Sequence, residues 1–130
     1  MISKLLIIYT LLHSLFCISQ NEPYSSKHTL SNSVGNKTLI DSLSGVSFVL
    51  DSNQIYITAI KSNGDTLWRT DPYLDNDLPE YRVKRPIIVG YYLQNNQSTN
   101  NTEVIWMIYN NTQFGILEKE TGKYTWFGQD

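Results

Sequence analysis

From Gly45 onward the apolar residues of this chain recur with a period of two, and this restricts its fold more than any other feature. Val46, Phe48 and Leu50 fall on one face of an extended segment, with Ser47 and Asp51 opposite. Residues 54–61 repeat the pattern, with Ile55, Ile57 and Ala59 against Tyr56, Thr58 and Ile60. Both segments are rich in β-branched and aromatic residues, which fit a pleated, half-buried surface. A short strand over 66–70 follows Ser62-Asn63-Gly64-Asp65, whose Asn-Gly pair suits a tight turn with positive φ, so 54–70 is expected to form a hairpin. Four more strands are expected over 87–93, 103–109, 113–119 and 123–127. They are joined by a polar loop over 94–102, by Asn110-Asn111, and by Glu120-Thr121-Gly122. Val104 to Tyr109 is apolar on both faces, the pattern of a central strand covered on two sides.

Residues 38–42 are expected to add an edge strand. No helix is expected after residue 20, because Gly, Pro, Asn and β-branched residues interrupt every window of helical length. Pro72 and Pro79 cannot donate to a ladder, so 71–85 reads as a long ordered connection. With 130 residues, 41% of them hydrophobic, the chain can bury one core and no second one. Its formal charge of -2 leaves no electrostatic footprint for nucleic acid. The basic cluster Arg82, Lys84 and Arg85 follows Asp71, Asp75, Asp77 and Glu80 and reads as local charge balance.

The amino terminus carries Lys4, then an apolar stretch from Leu5 to Ile18, then small residues, which is the layout of a secretory signal peptide cut after Ser19. The stretch is too short and too interrupted to serve as a retained membrane anchor. A lipid anchor on Cys17 is disfavoured because Phe16 stands where lipid-directed processing needs a small residue. The expected organisation is a signal peptide over 1–19, a flexible polar segment over 20–37 and one all-β domain over 38–130. The expected place is the periplasm or the medium. Removal of the signal takes away the one cysteine and His13, leaving His28. That excludes an internal disulfide, a Cys/His zinc cluster and Cys-His catalysis. A triad on His28 would sit in a polar tract without the rigid surroundings catalysis needs.

Several side chains invite a functional reading. Asp71, Asp75, Asp77 and Glu80 have a spacing loosely compatible with calcium but lack the Asp-x-Asp-x-Asp-Gly core and closing Glu of an EF-hand loop, so a solvated acidic loop is expected. Asp75 and Glu80 could form a glycosidase pair only if space brings them to a suitable separation. Tyr73, Tyr81, Tyr91 and Tyr92 could stack on sugar rings or partner side chains, although core or rim packing is the expected role, and adjacent Tyr91 and Tyr92 must point to opposite faces of their strand. The sequons at Asn36, Asn96, Asn100 and Asn110 are read as chance in an Asn-rich chain.

The segments from Ile57 to Trp68 and from Phe114 to Trp126 form a weak internal repeat in which a strand leads to Gly64 or Gly122 and a tryptophan follows four residues later. This resembles the blade repeat of PQQ-type quinoprotein β-propellers. The resemblance implies blade-like meander geometry and a packing role for Trp68 and Trp126. It transfers no quinone or calcium ligands, and two blades cannot close a propeller. The chain as a whole, including the ending Tyr124-Thr125-Trp126-Phe127-Gly128-Gln129-Asp130, is similar to small exported bacterial proteins of uncharacterised function, which implies compartment and no activity. The expected fold is therefore an antiparallel two-layer sandwich, or small open barrel, built from two blade-like meanders.

The functional expectation is a non-enzymatic binding module of the cell envelope without a cofactor, its partner an envelope protein or a glycan. Recognition is assigned to the connections 71–85 and 94–102, with Tyr73, Asp75, Asp77, Tyr81 and Arg82 as contacts. The alternative is a carboxylate-based hydrolase using acids of 71–80 on envelope polysaccharide or peptide. A third reading has the chain adding strands to a larger β-assembly at an open edge.

Overall fold

The structure is a computed structural model, and it describes residues 29–30 and 34–130. The expected signal peptide, Cys17 and His28 lie outside the described residues. The alternating segments form two antiparallel four-stranded meanders. The first contains β1 (Thr38–Ile40), β2 (Ser47–Leu50), β3 (Ile57–Ile60) and β4 (Thr66–Thr70) in that spatial order. The second contains β5 (Ile88–Asn96), β6 (Thr102–Tyr109), β7 (Phe114–Leu117) and β8 (Tyr124–Gly128), also in order. The two sheets lie one upon the other as a two-layer sandwich, without closing into a barrel, so the expected fold class holds.

Period-two patterning decides which side chains meet. Phe48, Leu50, Ile57 and Ala59 from the first sheet join Ile88, Tyr91, Ile105, Met107, Tyr109, Leu117 and Tyr124 from the second in one buried cluster. Burial of apolar surface at about 25 cal/mol per Å² makes this cluster the main stabilising term. Trp68 links the layers a second time. It stacks on Phe48 with ring centroids 5.8 Å apart, and its indole N–H donates to the Lys119 carbonyl at 2.9 Å. Its ring lies against Gly122, where a Cβ would come within 2.7 Å of it.

The turns carry several differences from the sequence reading. In the β3–β4 hairpin the Gly64 N–H donates to the Lys61 carbonyl, and φ at Gly64 is 93°. Asn63 keeps negative φ, so this is a three-residue turn with Gly64 in the left-handed position, rather than a two-residue turn needing both. Thr112 takes the same place in the β6–β7 turn with φ 74°, a costly position for a β-branched residue. The expected loop 94–102 shrinks, because β5 continues through Asn96 and only a single 3₁₀ turn, Gln97–Thr99, and two left-handed residues, Asn100 and Asn101, follow.

A short helix, α1 (Pro72–Asp75), corrects the expectation of no helix. Asp71 caps it by accepting from the Leu74 N–H at 3.3 Å, Pro72 occupies its first position, and Asp75 accepts from the Asp71 N–H at 3.0 Å. At the amino side, the Leu30 N–H donates to the Asn110 carbonyl at 2.9 Å and Val34 packs against the core. Among the described residues no helix is long and apolar enough to cross a membrane.

One ionic cluster stitches the layers. The Lys119 ammonium donates to Asp41 Oδ2 at 2.9 Å and to Glu103 Oε1 at 2.8 Å, so that it joins the β1–β2 turn to β6. The hydrogen bond from Lys119, helped by those from the Leu43 N–H and the Ser44 hydroxyl, holds the Asp41 carboxyl down at about 2 against burial, which acts the other way. Because the folded-state value lies below the ordinary aspartate value of 3.8, the stabilisation is complete above that pH and disappears as pH falls toward 2. Denaturant midpoints measured from pH 6 downward are expected to drop in this window. In Asp41→Asn that part of the acid-induced drop should be absent.

Candidate functional site

Most of the residues expected to form a recognition loop are spent on the protein itself. Tyr73 is 6% exposed, packs edge-on against Tyr109 at 6.0 Å, and carries the Arg85 guanidinium over its ring. It belongs to the core because α1 folds it under, which removes it as a contact. Asp75 accepts from the Thr70 hydroxyl at 2.7 Å and from the Asp71 N–H, closing the helix start. Asp71 is buried and paired with Arg85. Asp77 and Glu80 are exposed, and Asp77 occupies a left-handed turn position with φ 49°.

Tyr81 and Arg82 converge on the end of β8. The Tyr81 hydroxyl and Arg82 Nη2 both donate to the Asp130 backbone oxygen, the latter at 2.7 Å, while Arg82 Nη1 donates to the Thr112 hydroxyl at 3.2 Å. Beneath them the buried amides of Asn111 and Gln113 reach the carbonyls of Tyr81 and Pro79 at 3.1 and 3.0 Å. Each of these contacts fixes the connection 71–85 against the second sheet. The structure confirms that this segment is ordered and gives its polar groups an internal purpose. Among the described residues no group of three His, Cys, Asp or Glu side chains could hold a metal ion.

The distinctive surface lies elsewhere. Residues directly opposed in an antiparallel pair share a face, and Tyr92 faces Trp106, Gly90 faces Ile108, Trp106 faces Ile116, and Ile108 faces Phe114. These residues therefore lie on the side of the second sheet turned away from the first. Phe127, the additional residue at the bulge in β8, joins them, standing edge-on to Trp106 at 5.4 Å and to Phe114 at 6.5 Å. Tyr92 is 41% exposed and Phe127 40%. The expectation that β6 is covered on both faces is met on one side by the first sheet. On the other side its cover is this aromatic layer, whose outer surface meets solvent. The adjacent Tyr91 and Tyr92 divide as expected, Tyr91 into the core and Tyr92 outward.

At the Asn96 end of this face the aromatic layer borders a half-open groove of about 450 Å³. Its lining includes Asn96, Ser98, Thr102, Glu118, Thr125 and Phe127, over a floor of Val104 and Ile116. A second hollow of about 510 Å³ lies at the seam between the sheets, lined by Leu43, Val46, Phe48, Leu67, Asp41 and Lys119 among others. Chemistry separates the two. In the seam hollow Lys119 and Asp41 are already paired with each other, and the ammonium also holds Glu103. Asn96, which lines the outer groove, has a buried amide nitrogen, Nδ2, without a hydrogen-bond partner among the described residues. A further donor on the same face, the Trp106 indole N–H, is also buried without one.

Sequence reasoning missed this face because it sought function in loops. The visible signal was Val104 to Tyr109, apolar on both sides in a chain with only one other layer to offer. The packing role expected for Trp68 is observed. Trp126 is 43% exposed, and the ring in β8 that contacts other aromatics is its neighbour Phe127. Neither the propeller resemblance nor any other kinship is supported by comparison: no family model, no curated protein and no solved structure matches the chain.

Proposed function

We propose that this chain is an exported, non-enzymatic binding module of the cell envelope that meets its partner, an envelope protein or glycan, on the outer face of the β5–β8 sheet. The observation that carries this reading is the exposure of Tyr92 and Phe127 in one layer with Trp106, Ile108 and Phe114. A sheet with one face on the core ordinarily turns polar residues to water on the other. A contiguous apolar patch on the solvent side marks an interaction surface. Export rests on the charge and hydropathy pattern of the first nineteen residues. The hydrolase alternative gains nothing from the geometry, since Asp71 and Asp75 are committed to Arg85, Thr70 and the start of α1.

The test is a retention experiment with solubilised native envelope passed over the immobilised protein and over a Tyr92→Ala/Phe127→Ala variant. A component retained by the wild type and lost from the variant is expected. Identical retention on both, or loss only with Tyr81→Ala/Arg82→Ala, would remove the proposal. Both aromatic side chains are substantially exposed, so circular dichroism should show the double variant folded.

A further inference from the structure

The groove beside the aromatic layer takes the binding reading one step further, to a class of ligand, and rests on that reading. We propose that it binds an uncharged saccharide chain, with a sugar ring laid on Phe127 and its hydroxyls met by Asn96, Ser98, Thr102 and Thr125. The groove, at about 450 Å³, falls within the range of about 300–1,000 Å³ usual for small-molecule sites. Its composition suits a sugar, which offers an apolar ring face to an aromatic side chain and a rim of hydroxyls to amides and alcohols.

Asn96 supplies the independent observation. It is only 7% exposed, and its Oδ1 accepts from the Ser98 N–H at 3.2 Å and the Ser98 hydroxyl at 2.8 Å. The backbone N–H, which can only donate, fixes which end of the amide is oxygen, so the unpartnered atom is the nitrogen, a donor. A buried donor without an acceptor is costly, and a small movement of the Asn96 amide toward the groove would let a ligand oxygen relieve it. Thr102 points its hydroxyl hydrogen at the Thr99 carbonyl at 2.7 Å, which leaves its oxygen free to accept. The groove therefore offers both donors and acceptors, as a polyhydroxy ligand requires.

Charge and position exclude the main competitors. Among the described residues neither Lys nor Arg lines the groove, and Glu118 does, with its Oε2 accepting from the Thr121 hydroxyl at 2.8 Å. A phosphate, sulfate or uronate would meet a carboxylate and no cation. An extended peptide adds to a sheet by pairing with backbone at an edge, whereas this groove lies on the side-chain face. A purely apolar partner would leave the Asn96 amide unsatisfied.

The experiment is a microarray of uncharged gluco-, chito-, manno- and xylo-oligosaccharides beside polyuronates and sulfated oligosaccharides, probed with the protein. Binders are then titrated in solution while Trp106, in contact with Phe127, reports by fluorescence. We expect binding confined to uncharged chains, with Phe127→Ala and Asn96→Ala each weakening it at least about tenfold, or about 1.4 kcal/mol. Because Asn96 also caps the 3₁₀ turn, Thr125→Val provides a variant on an exposed β8 position that leaves that turn intact, and it too should weaken binding. Binding of acidic chains alone, or uncharged binding indifferent to Phe127→Ala and Thr125→Val, overturns the proposal. Silence across the array also overturns it. In that event, an envelope protein retained by the wild type and lost from Tyr92→Ala/Phe127→Ala shows that the binding face stands and the saccharide does not.

Discussion

Phe48→Ala is expected to lower the unfolding free energy by about 3–5 kcal/mol, the usual cost of removing a buried phenyl ring. Phe48 is fully buried on β2, between Leu39 of β1 and Ala59 of β3, and it carries the stacked indole of Trp68. Losing the ring opens a cavity at the place where the two layers are joined and withdraws the support of Trp68 over Gly122. A domain of this size has a net stability of roughly 5–15 kcal/mol, so the variant should be marginal. Urea denaturation followed by tryptophan fluorescence measures the change. A midpoint near that of the wild type would mean that the sheets do not meet through Phe48.

Gly115→Ala should cost about as much, near 3 kcal/mol, through a different cause. Gly115 lies on β7 opposite Trp126, and a Cβ there would collide with the Thr125 carbonyl oxygen and come within 2.6 Å of the Tyr124 hydroxyl. The carbonyl is backbone, so relief requires β8 to move rather than a side chain to swing. The expected result is loss of stability together with increased hydrogen exchange over 124–128, while β2 and β3 remain protected. Exchange unchanged in β8 would contradict the pairing of β7 with β8.

These two positions also show how far the sequence could be read. Phe48 was legible as core because alternation through Val46, Phe48 and Leu50 needs no knowledge of partners. Gly115 was not, since its constraint comes from a strand eleven residues further along and from the bulge between Phe114 and Gly115. Strand existence followed from periodicity, whereas strand ends were set by turns whose residues do not announce their φ, as with Thr112 and Gln54. The helix α1 was announced by Asp71-Pro72 and Asp75, a cap followed by proline at the first helical position. It went unrecognised because one turn has no hydrophobic period.

The candidate surface was harder to read than the fold. Tyr73, Asp75, Tyr81 and Arg82 are polar or aromatic residues on an irregular connection, and such residues attract a functional reading by type alone. Only three dimensions reveal that Asn111, Gln113, Thr112 and Asp130 already engage that connection. In contrast, the outer face draws on four strands spread over 92–127, and each contributes side chains that read singly as core. Their assembly on the side without a facing sheet is a property of the topology.

The most direct measurement is a set of two-dimensional ¹⁵N–¹H spectra of the protein, recorded with and without the oligosaccharide that binds best on the array or, failing one, the envelope component retained on the column. We expect shift changes in the amides of β5 to β8 whose side chains form the outer face, centred on Asn96, Thr102, Trp106, Thr125 and Phe127. Changes concentrated instead in residues 71–85, with the outer face silent, would contradict that expectation.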